Sequence, residues 1–264
     1  MLSEVADRVF VRQSAFCLSN AVVIRGEEGL LLVDPGVDGD DLAELAADVA
    51  PLARPVIAGF STHPHWDHLL WDPRFGDVPR YATARGAAIA RERLDRARSL
   101  ASRQAPGAPI DLLGRVTPLP AGAATVPWAG PRLRILEHRA HCPAHSALLV
   151  EGTGVLLGGD MLSDVEIPLL DPDEPDPLAD YVQGLDLLES AITSETVTVL
   201  VPGHGGVARG AEIAARIAAD RAYVDALRRG EGLADPRVGP QATYGRDWLP
   251  EAHDRQVRLV EGRS

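Results

Sequence analysis

The segment Thr62-His63-Pro64-His65-Trp66-Asp67-His68 sets three imidazoles and a carboxylate within six residues. Those donors suit zinc well, and iron or manganese less exclusively. Alternate side chains of an extended segment point the same way, so His63 and His65 can meet one ion. The turn that follows then directs Asp67 and His68 toward a second. Three further candidates stand apart in the sequence: His141, Asp160 and His204. Each comes just past a short apolar run that reads as a strand, and such strand ends are where loops from distant segments converge. Seven ligands for two ions follow naturally.

Composition removes competing chemistries. The chain has no lysine, which excludes a Walker A phosphate loop, pyridoxal Schiff-base chemistry and SxxK serine hydrolases. No serine sits in a GxSxG elbow. Cys17 and Cys142 lie far apart with no CxxC spacing, so neither a zinc ribbon nor a thioredoxin-like motif is present. A formal charge of -12 repels phosphate backbones, and no basic face is visible to offset it. The expected partner is therefore a small-molecule substrate rather than nucleic acid, bound by a monomer or homodimer. No apolar run reaches the ~18 residues a membrane helix needs. Met1 to Val11 carries Glu4, Asp7 and Arg8 where a signal peptide would be apolar, so the expectation is a cytoplasmic protein.

At 264 residues and 45% hydrophobic content, one domain spanning 1–264 can bury a large core. Strands are expected at Arg8 to Arg12, Ala21 to Arg25 and Leu30 to Asp34, the last two joined by a turn at Gly26-Glu27-Glu28-Gly29. Helical spacing over Asp40 to Ala50 ends at Pro51 and Pro55, before a strand at Val56 to Phe60. The histidine run should leave that strand and enter a helical segment near Leu69. Alanine and arginine without proline predict one helix from Thr83 to Arg103 over a face of the molecule, with Ile89, Leu94 and Leu100 among its buried positions. Further strands are expected at Leu133 to Glu137, Ala147 to Val150, Val155 to Leu157 and Val197 to Val201, with helices at Ala179 to Ser190 and Ala211 to Arg229. The tail after Gly230 gives no assignment. Strands first and alternation later, in two comparable halves, suit an α/β (α+β) class with two packed sheets and helices outside.

In this order, the run at His63 to His68, His141-Cys142-Pro143-Ala144-His145, Gly158-Gly159-Asp160 and Pro202-Gly203-His204-Gly205 resemble the successive metal motifs of the metallo-β-lactamase superfamily. Asp34-Pro35-Gly36 resembles its early aspartate-glycine turn. The resemblance runs from about Leu30 to Gly205 and implies an αββα sandwich of two mixed β-sheets flanked by helices. It also implies that His63, His65 and His141 hold one zinc ion, that Asp67, His68 and His204 hold another, and that Asp160 bridges them. Cys142 and Ala144 depart from the commoner His-Thr-Pro-Gly-His form without touching His141.

The implied enzyme is a dinuclear metallo-hydrolase in which a metal-bridging hydroxide attacks an ester, lactone, thioester or amide, with Asp67 orienting it and accepting its proton. Rival readings are a mononuclear iron sulfur dioxygenase and an RNase Z-type phosphodiesterase. Acidic charge opposes the second. A flavodiiron-like oxidoreductase should carry glutamate at the position of His65, and a non-catalytic module should lack a ligand.

Other residues carry blander expectations. His138 and His253 are assigned to solvent, and His145 to either second-row support or substrate contact. Cys142 and Cys17 read as small buried hydrophobes. Trp66 and Trp71 serve either packing or a substrate wall. The acidic stretch from Asp160 to Asp180 reads as a solvated surface, the alternative being a loop that disfavours anionic substrates, and Asp34 as a turn-closing residue, the lesser alternative being support behind the metals.

Overall fold

Several strands are apolar at every position because both of their faces are covered. The computed structural model describes residues 1–105, 107–230 and 235–262. Its first sheet holds β1 (Ser3–Ala6), β2 (Val9–Gln13), β3 (Asn20–Arg25), β4 (Leu30–Val33), β5 (Val56–Phe60), β6 (Arg80–Ala82) and β7 (Thr117–Pro118) in sequence order. β1 to β4 pair antiparallel, and β4 to β7 parallel. The second sheet is built from β8 (Leu133–His138), β9 (His145–Val150), β10 (Val155–Gly159), β11 (Val199–Pro202) and β12 (Ala208–Arg209). Its single parallel pair is β10 with β11.

The period-2 alternation of side chains sorts these strands into three apolar layers. Val22 and Ile24 of β3 and Leu31 and Val33 of β4 face inward against Leu148, Val150, Val155, Leu157, Val199 and Val201. Their neighbours Val23, Leu30 and Leu32 face out, onto Leu42, Leu45 and Val49 of α1 (Gly39–Val49) and onto α2 (Ala84–Glu92) and α3 (Leu94–Gln104). On the far side Leu149, Leu156 and Leu200 meet α4 (Pro177–Ser194), α5 (Ala211–Arg229) and α6 (Leu249–Glu261). Helix, sheet, sheet and helix therefore stack in that order, the αββα arrangement expected.

Three local expectations are corrected. No helix starts at Leu69: a single 3₁₀ turn, Trp66–His68, follows the histidines and ends there. The helix read from Thr83 to Arg103 is two, broken at Arg93, whose φ of -97° and ψ of 15° leave the helical region. Its buried residues are small, Gly86, Ala87, Ala90, Ala97 and Ala101 with Thr83 at the start, while Ile89, Leu94 and Leu100 are only half-buried. Small side chains let these helices approach closely. The unassigned tail contains α6, which places Leu249 and Ala252 against the body of the protein.

Candidate metal centre

The seven residues singled out by sequence lie together at one end of the sandwich, on loops that leave β5, β8, β10 and β11. His63 and His65 are carried by the extended segment after β5, and Asp67 and His68 lie in the 3₁₀ turn that follows, which brings the His68 ring to 4.1 Å from that of His63. His141 stands between β8 and β9, Asp160 directly after β10, and His204 after β11. Glycine is required at two of these junctions. Gly159 has φ of +55°, and a side chain there would strike His145; a side chain at Gly203 would strike the Asp160 carboxylate.

Two donor groups result. In the first, His65 Nδ1 lies 3.1 Å from His63 Nε2 and 3.0 Å from His141 Nε2. Asp160 Oδ2 completes it, 3.4 Å from His63 Nε2 and 3.5 Å from His141 Nε2. Four separations of 3.0 to 3.5 Å are close to the spacing of neighbouring ligands about 2 Å from a shared zinc ion. In the second group, His204 Nε2 is 3.4 Å from Asp67 Oδ2 and His68 Nε2 is 3.7 Å from it. Asp160 reaches this group too, with Oδ1 3.2 Å from His68 Nε2 and Oδ2 3.5 Å from His204 Nε2. Buried and without hydrogen-bond partners, His68 Nε2 and Asp160 Oδ1 are polar atoms that a cation would satisfy.

Hydrogen bonds behind the ligands set their tautomers. Asp34 accepts from Thr62 N–H at 2.9 Å and Thr62 Oγ1 at 2.6 Å, and from His68 Nδ1 at 2.9 Å. With its proton committed to Asp34, Thr62 Oγ1 accepts from His63 Nδ1 at 3.0 Å. His204 Nδ1 donates to the Cys17 carbonyl at 2.9 Å. All three imidazoles thus turn Nε2 toward the centre, the nitrogen left to bind a cation. Asp34 is more than a turn-closing residue, since one carboxylate orients two histidines.

The charges are strongly coupled. Burial would raise Asp67 and Asp160, but His68 and His204 hold both carboxylates below their usual range. Burial would likewise lower His68 and His204; the Asp160 carboxylate, joined by Asp34 and Asp67 at His68 and by Glu166 at His204, outweighs it and moves both imidazoles up. His141 is pushed down to about 3 by burial and the neighbouring His65.

Several side readings change. His145 is fully buried: its Nε2 accepts from Asp160 N–H at 3.0 Å and its Nδ1 faces His138 Nε2 at 3.1 Å, a supporting role. His138 is therefore not a solvent residue, and burial pushes it down to about 4. Nor is His253, which pairs with Tyr223 Oη at 2.9 Å. Cys142 is buried as expected, whereas Cys17 is half-buried and contributes its carbonyl. Trp71 packs edge-on against Phe75, and Trp66 lines the pocket. The acidic stretch is solvated only in part: Asp164, Asp173 and Asp176 are exposed, whereas Glu166, Asp171 and Glu174 are buried, with Arg93 beside Asp171 and Arg139 beside Glu174.

Glu166 is an acidic neighbour of the centre that sequence reasoning missed. It forms a third possible donor group with Asp160 and His204. Burial and the Asp160 and Asp67 carboxylates push it up to about 7 against the pull of His204. The centre opens into a cavity of about 870 Å³ whose walls include Phe16, Trp66, Leu169, Leu170, Tyr244 and Trp248.

The sequence profile of the Metallo-beta-lactamase superfamily matches residues 15–204. No curated protein matches the chain. Among solved structures, the stereoselective inverting sec-alkylsulfatase Pisa1 from Pseudomonas sp. superposes with a TM-score of 0.74 at 15% identity, over 99% of this chain and 50% of that one. A beta-lactamase domain protein from Burkholderia ambifaria gives 0.66 at 25% identity, over 87% and 78% of the two chains. A metallo-beta-lactamase from Pontibacter korlensis gives 0.57 at 17% identity, over 83% and 97%. The chain spans half the length of the alkylsulfatase, and that likeness establishes the fold alone.

Proposed function

Because the chain belongs to the metallo-beta-lactamase superfamily, we propose that it is a dinuclear metal-dependent hydrolase acting on an acyl bond of a small molecule. The observation that carries this reading is Asp160, whose carboxylate faces both donor groups at 3.2 to 3.5 Å. His63, His65 and His141 would hold one cation, Asp67, His68 and His204 the other, and Asp160 both. Three imidazoles and a carboxylate favour zinc in the first position. When bound, the cations supply a water acidic enough to attack at neutral pH and polarise the substrate's oxygen.

The chain's own groups do the rest. Asp67 lines the cavity, so its carboxylate can orient the attacking water and take its proton. Trp66 and Trp248 line the same cavity and offer apolar surface to a bound substrate. A mononuclear iron dioxygenase would leave the second group, Asp67, His68 and His204, empty, so the number and kind of bound ions separate the two readings.

Activity should be measured on ester, lactone, thioester, amide and phosphodiester probes, with alkyl sulfates added because of the fold likeness. Chelation, His65→Ala and Asp160→Ala should each abolish turnover, whereas His253→Ala should not. Turnover that survives chelation and the His65 change would overturn the reading, and one iron per purified chain would favour oxygenation.

A further inference from the structure

Glu166 sits between β10 and α4 and is 8% exposed, yet its carboxylate accepts no hydrogen bond among the described residues. Glu166 lines the cavity at the centre, where its unpaired carboxylate is open to a cationic neighbour. Its loop is fixed relative to His204. Ser163 Oγ donates to the His204 carbonyl at 2.8 Å and accepts from Glu166 N–H at 3.0 Å. From the other side, Arg237 donates to the Glu166 carbonyl at 3.0 Å and to the Ser163 carbonyl at 3.2 Å. Arg237 is itself locked by Asp220 at 2.6 Å and Asp235 at 2.8 Å. One rigid frame therefore carries both Glu166 and His204, and brings the Glu166 carboxylate within 4.8 Å of donor atoms of His204 and Asp160.

We propose that Glu166 is a further ligand of the second cation, giving that position three carboxylates and two imidazoles and a preference for an oxygen-seeking ion such as Mn2+. The proposal rests on the two-cation reading above. The contrast lies in the donor sets. The first group has three imidazoles and one carboxylate, whereas the group that contains Glu166 has two carboxylates, Asp160 and Glu166, and one imidazole, His204, which it shares with the Asp67 and His68 group. Nitrogen-rich tetrahedral sets favour zinc, and oxygen-rich sets of higher coordination number favour manganese.

The test compares metal binding by wild-type and Glu166→Gln apoprotein, by titration with Mn2+ followed by electron paramagnetic resonance and with Co2+ followed by visible absorption. Wild-type protein should bind two Co2+, one with the intense bands of a tetrahedral ion and one with the weak bands of higher coordination. In Glu166→Gln the Mn2+ affinity should fall about ten-fold or more while the first zinc is retained. Unchanged Mn2+ affinity and an unchanged Co2+ spectrum would overturn the proposal alone, even if turnover fell. Wild-type protein that takes up a single ion would instead remove the two-cation reading beneath it. Should the variant fail to fold, two intense tetrahedral signatures in wild-type protein would also overturn it.

Discussion

Asp34 stands behind the histidines, and its conformation shows that the chain tolerates strain to keep it there. Its φ is +46°, a region that Asp and Asn enter more readily than most residues. From that position it meets His68 Nδ1 and Thr62 Oγ1 at once. Asp34→Asn should therefore preserve the backbone but weaken the orientation of His68 and, through Thr62, of His63. Zinc affinity measured against a competing chelator should drop on the order of 10–100-fold with an unchanged circular dichroism spectrum. Equal affinity would mean that the imidazoles hold their orientation unaided. The seven proposed ligands were legible in the sequence because donor types of one kind recur just past apolar runs. Glu166 was not, and Asp34 and His145 were legible only as one alternative each, since their roles come from hydrogen bonds and packing between segments that only the fold brings together.

Elements follow the same division. Strands were legible to within two residues where runs such as Leu30–Val33 and Val56–Phe60 are apolar throughout. The break at Arg93 carries no proline or glycine, so no local residue announces it; it places Arg93 3.9 Å from Asp171 at the pocket. Likewise nothing in the tail's composition points to Asp235 and Arg237, although Arg237 joins that tail to the Glu166 loop. Removing one partner of a buried ion pair leaves an uncompensated charge. Asp220 is 1% exposed, so Arg237→Ala should cost about 3–5 kcal/mol in urea denaturation. A loss below about 1 kcal/mol would place the network among weak surface pairs.

At the scale of the whole molecule, the proposed centre is where the two sheets are tied together. His63, His65, Asp67 and His68 hang from the first sheet, and His141, Asp160 and His204 from the second. An unfolded chain cannot present these ligands together, so cations that bind the folded state should stabilise it by mass action. Free zinc at about a thousand times its dissociation constant adds about 4 kcal/mol. At roughly 2–4 °C per kcal/mol for a chain of this size, the melting midpoint should rise by about 8–16 °C over the chelated protein. The increment should shrink in His65→Ala, which loses one donor from the first group, and in His204→Ala, which loses one from the second. A midpoint indifferent to chelation would mean that the two sheets are held by their shared apolar layer alone. Val22, Leu31, Leu148 and Val201, packed between the sheets, would then account for the junction without any contribution from the histidines above them.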